Sequence, residues 1–160
     1  MPTFAPLQLA VVGHTNTGKT SLLRTLLRDD QFGEVSHQAA TTRHVERASL
    51  EMDGQPLIWI YDTPGLEDSG GLMEWLETNT SHREEGIQRL QTFLASASAE
   101  SEFSQEAKVI RQVIDSDMAL YLIDAREPIV GKYRDELSIL SLCARPVMPV
   151  FNFCQQGDLR

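Results

Sequence analysis

The eight residues Gly13-His14-Thr15-Asn16-Thr17-Gly18-Lys19-Thr20 match the pattern G-x-x-x-x-G-K-[ST] at every fixed position. This pattern works in one structural setting only. Its glycines let successive backbone N–H groups turn inward around phosphate oxygens, and the same anion must meet the positive end of a helix. The loop therefore has to follow a strand and open a helix. Leu7 to Val12 is a short apolar run that reads as a buried strand. Ser21-Leu22-Leu23 and Leu26-Leu27 repeat at helical spacing, so a helix is expected to begin near Lys19. At average usage of about 7% for Gly, and similar figures for Lys and for Ser plus Thr, chance yields roughly one match per couple of hundred such chains. The strand-loop-helix context makes accident rarer still. In this setting Lys19 reaches the β- and γ-phosphates of a nucleotide and the Thr20 hydroxyl binds Mg²⁺. Gly13, His14, Thr15, Asn16, Thr17, Gly18 and Ser21 complete the candidate phosphate-contacting set.

The rest of the chain fits the same architecture. His44 to Met52 reads as a strand, Asp53-Gly54 is a hairpin turn signal, and Pro56 to Tyr61 is the returning strand. An antiparallel pair is expected there. Residues 66–117 are long and mostly helical, with apolar faces at Leu72, Trp75 and Leu76, at Ile87, Leu90 and Leu94, and at Val109, Ile110 and Val113. Ala95 to Ser104, rich in Ala, Ser and Glu, breaks the helices. Met118 to Ile123 and Pro146 to Phe151 read as further buried strands, with a helix over Tyr133 to Cys143 between them. Strands alternating with helices predict an α/β fold: a mainly parallel sheet with one antiparallel hairpin strand and helices on both faces. A complete domain of this type adds one more strand and helix, so the chain reads as an N-terminal fragment of a longer protein. One domain is expected over residues 1–160, with a helical acidic insertion at about 67–104.

Two further motifs carry metal and switch chemistry. Asp62-Thr63-Pro64-Gly65 stands at the end of the apolar strand, where a carboxylate can hold Mg²⁺ through water. The Gly65 N–H could meet the γ-phosphate. Ala40-Thr41-Thr42-Arg43 lies in the polar stretch before the hairpin. A Thr hydroxyl there, with Thr42 preferred over Thr41, completes the Mg²⁺ shell only while the γ-phosphate is present, which makes the loop a switch. The metal set is thus Thr20, Thr42 and Asp62.

The combination of Asn16, Thr41-Thr42-Arg43 and Asp62-Thr63-Pro64-Gly65-Leu66 resembles the Era, TrmE and EngA group of bacterial translation-factor-related GTPases. The likeness covers about residues 7 to 66, resumes at the strand Asp117 to Asp124, and runs to Asn152. It implies a Ras-like G domain that binds GTP or GDP with Mg²⁺ and hydrolyses GTP. Lys19, Thr42 and Asn16 are then the catalytic residues, Thr42 lies in switch I, and Asp62 to Gly65 form switch II. Asn16 is similar to the phosphate-loop Asn through which members of this group hold a monovalent cation, so K⁺ is a candidate cofactor. Ras-like proteins place Gln directly after the switch II Gly to orient water. Leu66 stands there instead, and slow intrinsic hydrolysis is expected. The stretch from Glu67 to Glu100 is longer than the group usually has. The base-recognition motif, usually Asn-Lys-x-Asp, survives only as Asn152, with Phe153 for Lys and Gln155 for Asp; Asp158 comes three residues too late. Guanine binding is therefore what the resemblance implies, with Asn152 as its one retained residue.

Charge bounds the partners. The formal net charge is −9, and an acidic domain is a poor non-specific binder of nucleic acid. Between Glu67 and Glu106 there are nine acidic residues against Arg83 and Arg89. They read first as a solvated helical face, with a docking surface for a basic partner as the alternative. The expected partners are a guanine nucleotide, a nucleotide-dependent second copy, and an effector (ribosome or RNA, membrane, or protein) reached through a C-terminal region. No apolar run approaches the roughly 18 residues of a membrane span. Met1 to Pro6 carries no secretory pattern. A cytoplasmic protein is expected, with membrane association only through other regions. Cys143 and Cys154 have no metal-like spacing and read as free thiols. Two other functions stay open: a nucleotide-dependent interaction module with negligible hydrolysis, and an ATP-using P-loop enzyme such as a kinase.

Overall fold

A computed structural model describes residues 5–13, 17–27, 45–128 and 131–154. The elements follow the expected order: β1 (Leu7–Val12), α1 (Lys19–Leu27), β2 (Glu46–Met52), β3 (Gln55–Asp62), α2 (Ser69–Asn79), α3 (Gly86–Leu94), α4 (Ser104–Asp115), β4 (Met118–Asp124), α5 (Gly131–Leu142) and β5 (Val147–Asn152). A 3-10 turn over Ala97–Glu100 separates α3 from α4, where the Ala- and Ser-rich stretch predicted a break. The helical segment is also interrupted between α2 and α3, a division the sequence reading did not mark.

The five strands form one sheet in the order β2-β3-β1-β4-β5. All neighbours are parallel except the β2–β3 hairpin. That hairpin turns on Asp53 (φ 54°) and Gly54 (φ 75°). Both central residues occupy the left-handed region, which matches the right-handed twist of the flanking strands. β1 lies in the middle, and its sequence LQLAVV is buried on both faces over its last four residues. This is why β1 reads as a continuous apolar run rather than an alternating one.

The two faces carry separate cores. Leu9 and Val11 point with Ile60 and Leu122 toward Leu23 of α1. Ala10, Val12, Ala119 and Tyr121 point the other way, into a larger core built with Leu72, Leu76, Leu90, Phe93 and Ile139. The segment after switch II thus completes the second face of the sheet. Its acidic residues are exposed, as a solvated face requires, with one exception. Glu106 is buried, and its Oε1 accepts hydrogen bonds from the backbone N–H groups of Glu67 (2.9 Å) and Asp68 (2.8 Å). Arg89, counted among the basic residues of that stretch, is also buried, with Nε donating to Thr80 Oγ1 at 2.8 Å. Both free thiols are as expected, Cys143 buried and Cys154 exposed. No helix among the described residues is long and apolar enough to cross a membrane.

β1 is also where the strand order reverses. Such a switch point opens a crevice at the carboxyl ends of the strands, which is where open α/β sheets bind ligands. Gly13 leaves β1 there, and Asp62, Asp124 and Asn152 end β3, β4 and β5.

Phe93 joins the helices of the larger core. Its ring meets Trp75 edge-on at 5.4 Å and Phe103 at 6.2 Å between centroids. Phe93→Ala is expected to cost about 3–5 kcal/mol, the usual range for deleting a buried aromatic, measured as a shift in the urea midpoint. A cost below about 1 kcal/mol, far under that range, would mean that the helical segment is not part of the domain core.

Candidate nucleotide-binding site

The phosphate loop owes its shape to close backbone approaches. A Cβ on Gly13 would lie 2.8 Å from Thr17 Oγ1 and 2.9 Å from the carbonyl oxygen of Leu122. β4 therefore admits only glycine at this point. Gly18 has φ 84°, and a Cβ there would lie 2.5 Å from Asn152 Nδ2. Both fixed glycines of the motif are thus required by geometry. Lys19 opens α1, is buried, and donates from Nζ to the Gly13 carbonyl at 3.1 Å, which folds the side chain back over the loop.

Thr20 Oγ1 donates to Asp62 Oδ2 at 2.8 Å, bringing together the two described members of the predicted metal set. Asp62 is 1% exposed. Its other oxygen, Oδ1, is buried with no hydrogen-bond partner among the described residues. Burial pushes the Asp62 carboxyl up from its ordinary range; the Thr20 hydrogen bond and the Lys19 charge pull against it. Burial likewise pulls the Lys19 ammonium down, opposed by Asp62 and Glu136. Each charge supports the charged form of the other.

The predicted switch II segment is held by hydrogen bonds on both sides. Thr63 donates from Oγ1 (2.7 Å) and from its backbone N–H (3.3 Å) to the Val11 carbonyl, holding the start of Asp62-Thr63-Pro64-Gly65 against β1. The Glu106 bonds to Glu67 and Asp68 hold its far end. Pro64, Gly65 and Leu66 are buried, and Leu66 packs in the larger core. A side chain so placed has no route to an attacking water. Ser21 is exposed on the first turn of α1.

Asn152 does something the sequence did not disclose. Its Nδ2 donates to the Thr17 carbonyl at 3.0 Å and its Oδ1 accepts from the Phe153 N–H at 2.9 Å. The predicted base reader thus ties the end of β5 to the phosphate loop. His14, Thr15 and Asn16 of the loop, Thr41 and Thr42 of switch I, and Gln155 and Asp158 lie outside the described residues.

One titratable residue of this region was missed. Glu136 of α5 is fully buried and accepts a hydrogen bond from the Tyr121 hydroxyl. Burial lifts its carboxyl to about 7, against the Tyr121 hydrogen bond and the charges of Lys132 and Lys19. A signal existed: Tyr133, Glu136, Ile139 and Leu140 share one helical stripe, so a carboxylate interrupts an apolar face.

Fold and site together define a P-loop nucleotide-binding domain of the GTPase kind. The model of the family described as 50S ribosome-binding GTPase matches residues 8–153, and the chain belongs to that family. The tRNA modification GTPase MnmE of Chromobacterium violaceum is 32% identical over 146 residues, 91% of this chain and 26% of that protein. GTPase Der of Rhodopirellula baltica is 29% identical over 125 residues, 78% of this chain and 25% of that protein. A crystal structure of Era with MgGDPNP and a segment of 16S ribosomal RNA shares the fold, with TM-score 0.59 at 21% identity over 90% of this chain and 39% of that one. The first curated relatives are much longer: the chain spans from 16% to 31% of their length.

Lys19→Ala removes the loop's described cation. Hydrogen bonds to charged groups contribute about 1.5–3 kcal/mol each, so triphosphate affinity is expected to fall at least about tenfold in a fluorescent-nucleotide titration; unchanged affinity would refute the assignment. Glu136 yields a pH prediction. Its folded-state carboxyl lies above the ordinary value of 4.5, so between about pH 4.5 and 7 the folded state binds the extra proton and stability falls as pH rises. Urea midpoints at pH 5 and pH 7.5 should show a larger loss in the wild type than in Glu136→Gln. Parallel profiles would mean that Glu136 titrates elsewhere.

Proposed function

We propose that this chain is a Mg²⁺-dependent GTP-binding and GTP-hydrolysing switch domain. The observation that carries the reading is the Thr20–Asp62 pair at the mouth of the phosphate loop, with Asp62 Oδ1 buried and unpartnered among the described residues. An orphaned buried oxygen in a native site calls for an ion or water. Thr20 and Asp62 offer the hard oxygen donors that Mg²⁺ prefers, so the residues fit the ion: Thr20 would hold it directly, Asp62 through water, and Thr42 from switch I. When bound, Mg²⁺ neutralises charge on the β- and γ-phosphate oxygens.

The chain's own residues then do the following. Lys19 leaves the Gly13 carbonyl and donates to the β- and γ-phosphates. The backbone N–H groups of the loop, and of Gly65, surround the anion, and the α1 N-terminus adds its dipole. These groups stabilise charge that shifts during transfer of the γ-phosphoryl to water. With Leu66 buried, no side chain follows Gly65 to orient that water, and intrinsic hydrolysis is slow. The same burial favours one further reading, an interaction module that barely hydrolyses. Single-turnover phosphate release, measured beside GTP affinity, separates the two. Thr20→Ala and Asp62→Ala should each abolish the Mg²⁺ dependence of GTP binding; if binding stays equally Mg²⁺-dependent in both, the site assignment fails.

Asn16 supports a role for K⁺ beside the nucleotide, where a fixed cation would take the place of an arginine finger. Hydrolysis by the full chain should be faster in KCl than in NaCl at equal ionic strength, and Asn16→Ala should remove the difference. Equal rates in the two salts would leave Asn16 as a local brace of the loop, a common role for Asn in turns. Effector recognition, by RNA or the ribosome, a membrane or a protein, falls to a region C-terminal to this acidic domain. A nucleotide-dependent dimer and a cytoplasmic location complete the reading.

A further inference from the structure

Glu106 is a carboxylate on the inward face of a helix. It stands in the first turn of α4, in the buried stripe Glu106, Ala107, Val109, Ile110 and Val113, and is 2% exposed. A buried carboxylate is costly unless hydrogen bonds offset its lost water. Here Oε1 accepts from the backbone N–H groups of Glu67 at 2.9 Å and Asp68 at 2.8 Å. Glu67 and Asp68 lie at the surface, where water is also available to such donors. What the buried carboxylate adds over water is a fixed position.

Two anchors thus bracket the middle of the predicted switch II segment. Thr63 is bonded twice to the Val11 carbonyl of β1, and Glu67 is bonded to Glu106. Only Pro64, Gly65 and Leu66 lie between them. The proline ring fixes φ at Pro64, and the Leu66 side chain is buried in the larger core. Gly65 has no side chain to hold it, and glycine has the widest backbone freedom. The direction of its N–H is therefore set by what grips its flanks. Both grips refer to one strand: Thr63 bonds β1 directly, and α4 packs on β1 in the core that holds Ala10 and Val12. β1 runs straight into Gly13. Gly65 is held in the frame of the strand that launches the phosphate loop.

We propose that Glu106 is a positioning residue for the γ-phosphate: by gripping the backbone of Glu67 and Asp68 it aims the Gly65 N–H, and so sets how well the domain binds a nucleoside triphosphate relative to the diphosphate. This rests on the reading above, in which the Gly65 N–H meets the γ-phosphate. Hydrogen bonds weaken steeply with angle, so a modest rotation at Gly65 is enough to lose the contact. A diphosphate makes no such contact and is indifferent to Glu106. The competing account is a local one, in which Glu106 only satisfies donors at the start of α2, since Glu67 and Asp68 directly precede that helix. Asp68 separates the two. Its side chain caps α2 at the Gly71 N–H, 2.9 Å away, while its backbone N–H is what Glu106 holds. Replacing the Asp68 side chain weakens the helix cap and leaves the grip in place.

The test is titration of the full chain with Mg²⁺ present, using GDP and the non-hydrolysable triphosphate GDPNP. Glu106→Ala should weaken GDPNP by about 5- to 100-fold, within the usual range for one hydrogen bond to a charged group, and leave GDP unchanged, which a general loss of fold would not do. Glu106→Gln keeps the acceptor oxygen and should retain most of the wild-type ratio of the two affinities. Glu106→Asp withdraws the oxygen by one methylene; it should shift the ratio in the same direction as Glu106→Ala, and it carries the test if Glu106→Ala does not fold. Asp68→Ala should lower the urea midpoint without altering the ratio. The proposal is overturned by an unchanged ratio in Glu106→Ala, by an equal loss of GDP and GDPNP, or by a Glu106→Gln variant as impaired as Glu106→Ala. A shift in Asp68→Ala as large as that in Glu106→Ala would overturn it in favour of the capping account. All of these leave the phosphate-loop reading, which stands on Lys19, intact. Failure of the wild type to bind either nucleotide would overturn both.

Discussion

The structure depends on a hydrogen bond between residues 42 positions apart. Thr20 Oγ1 donates to Asp62 Oδ2 at 2.8 Å, joining the first turn of α1 to the end of β3. A buried carboxylate and a buried ammonium sit at this joint, and each would be costly alone. Burial displaces both titrations in the direction that disfavours charge, while each partner opposes the displacement of the other. The loop between β1 and α1 thus carries a charge arrangement that is incomplete in itself and is complemented by a polyanion with its counter-ion. The central place of β1, flanked by β3 and β4, is what brings these groups to one crevice.

The rest of the fold holds that crevice rigid. The Gly13 backbone rests against the Leu122 carbonyl of β4, Thr63 against the Val11 carbonyl of β1, and Asn152 of β5 against the Thr17 carbonyl. β1, β4 and β5 therefore each contribute a backbone or side-chain contact to the phosphate loop or to switch II. The helical segment adds another through Glu106, whose carboxylate gathers two backbone N–H groups directly after Leu66. A charged acceptor makes such bonds the stronger kind. A segment whose acidic residues read as a solvated face holds, through Glu106, the backbone that follows Leu66, and its apolar side packs in the larger core.

What the sequence disclosed and what it concealed divide along a physical line. The strand, glycine, helix start and strand-end carboxylate around Gly13, Gly18, Lys19, Thr20 and Asp62 were legible because such features are encoded by spacing along the chain. A loop of fixed length must precede a helix, and a carboxylate must end a strand. The Asp53-Gly54 hairpin was legible for the same reason, since both residues must adopt positive φ. Strand and helix positions followed from apolar runs, and their ends shifted by a residue or two. Glu106, Glu136 and the Arg126–Phe153 stack were not legible. Each depends on residues that only tertiary packing brings together: 39 positions between Glu67 and Glu106, 15 between Tyr121 and Glu136. Nor does any local rule tell a solvated glutamate from a buried one that bonds backbone. Asn152 lies between the two cases. Its position at a strand end was readable, but its use as a brace for the phosphate loop required the Gly18 geometry to be seen.

That brace bears on how the two halves of the site communicate. Asn152 bonds the Thr17 carbonyl on one side and the Phe153 N–H on the other, so one amide fixes both the backbone that faces the phosphates and the residue beside it on β5. Gly18 can approach this amide only because it lacks a Cβ. The Thr17 carbonyl is thereby connected through Asn152 to Phe153, and through the ring to Arg126 and Asp124 at the end of β4. These groups are packed and hydrogen-bonded in series, and a small shift in such a chain is passed on rather than absorbed. The ends of β4 and β5 are thus linked to the phosphate loop through Asn152, and the segment from Asp62 to Asp68 is linked to the same loop through the Thr20–Asp62 bond and to β1 and α4 through Thr63 and Glu106. Among the described residues, the β5 end presents the Phe153 ring and the Arg126 guanidinium.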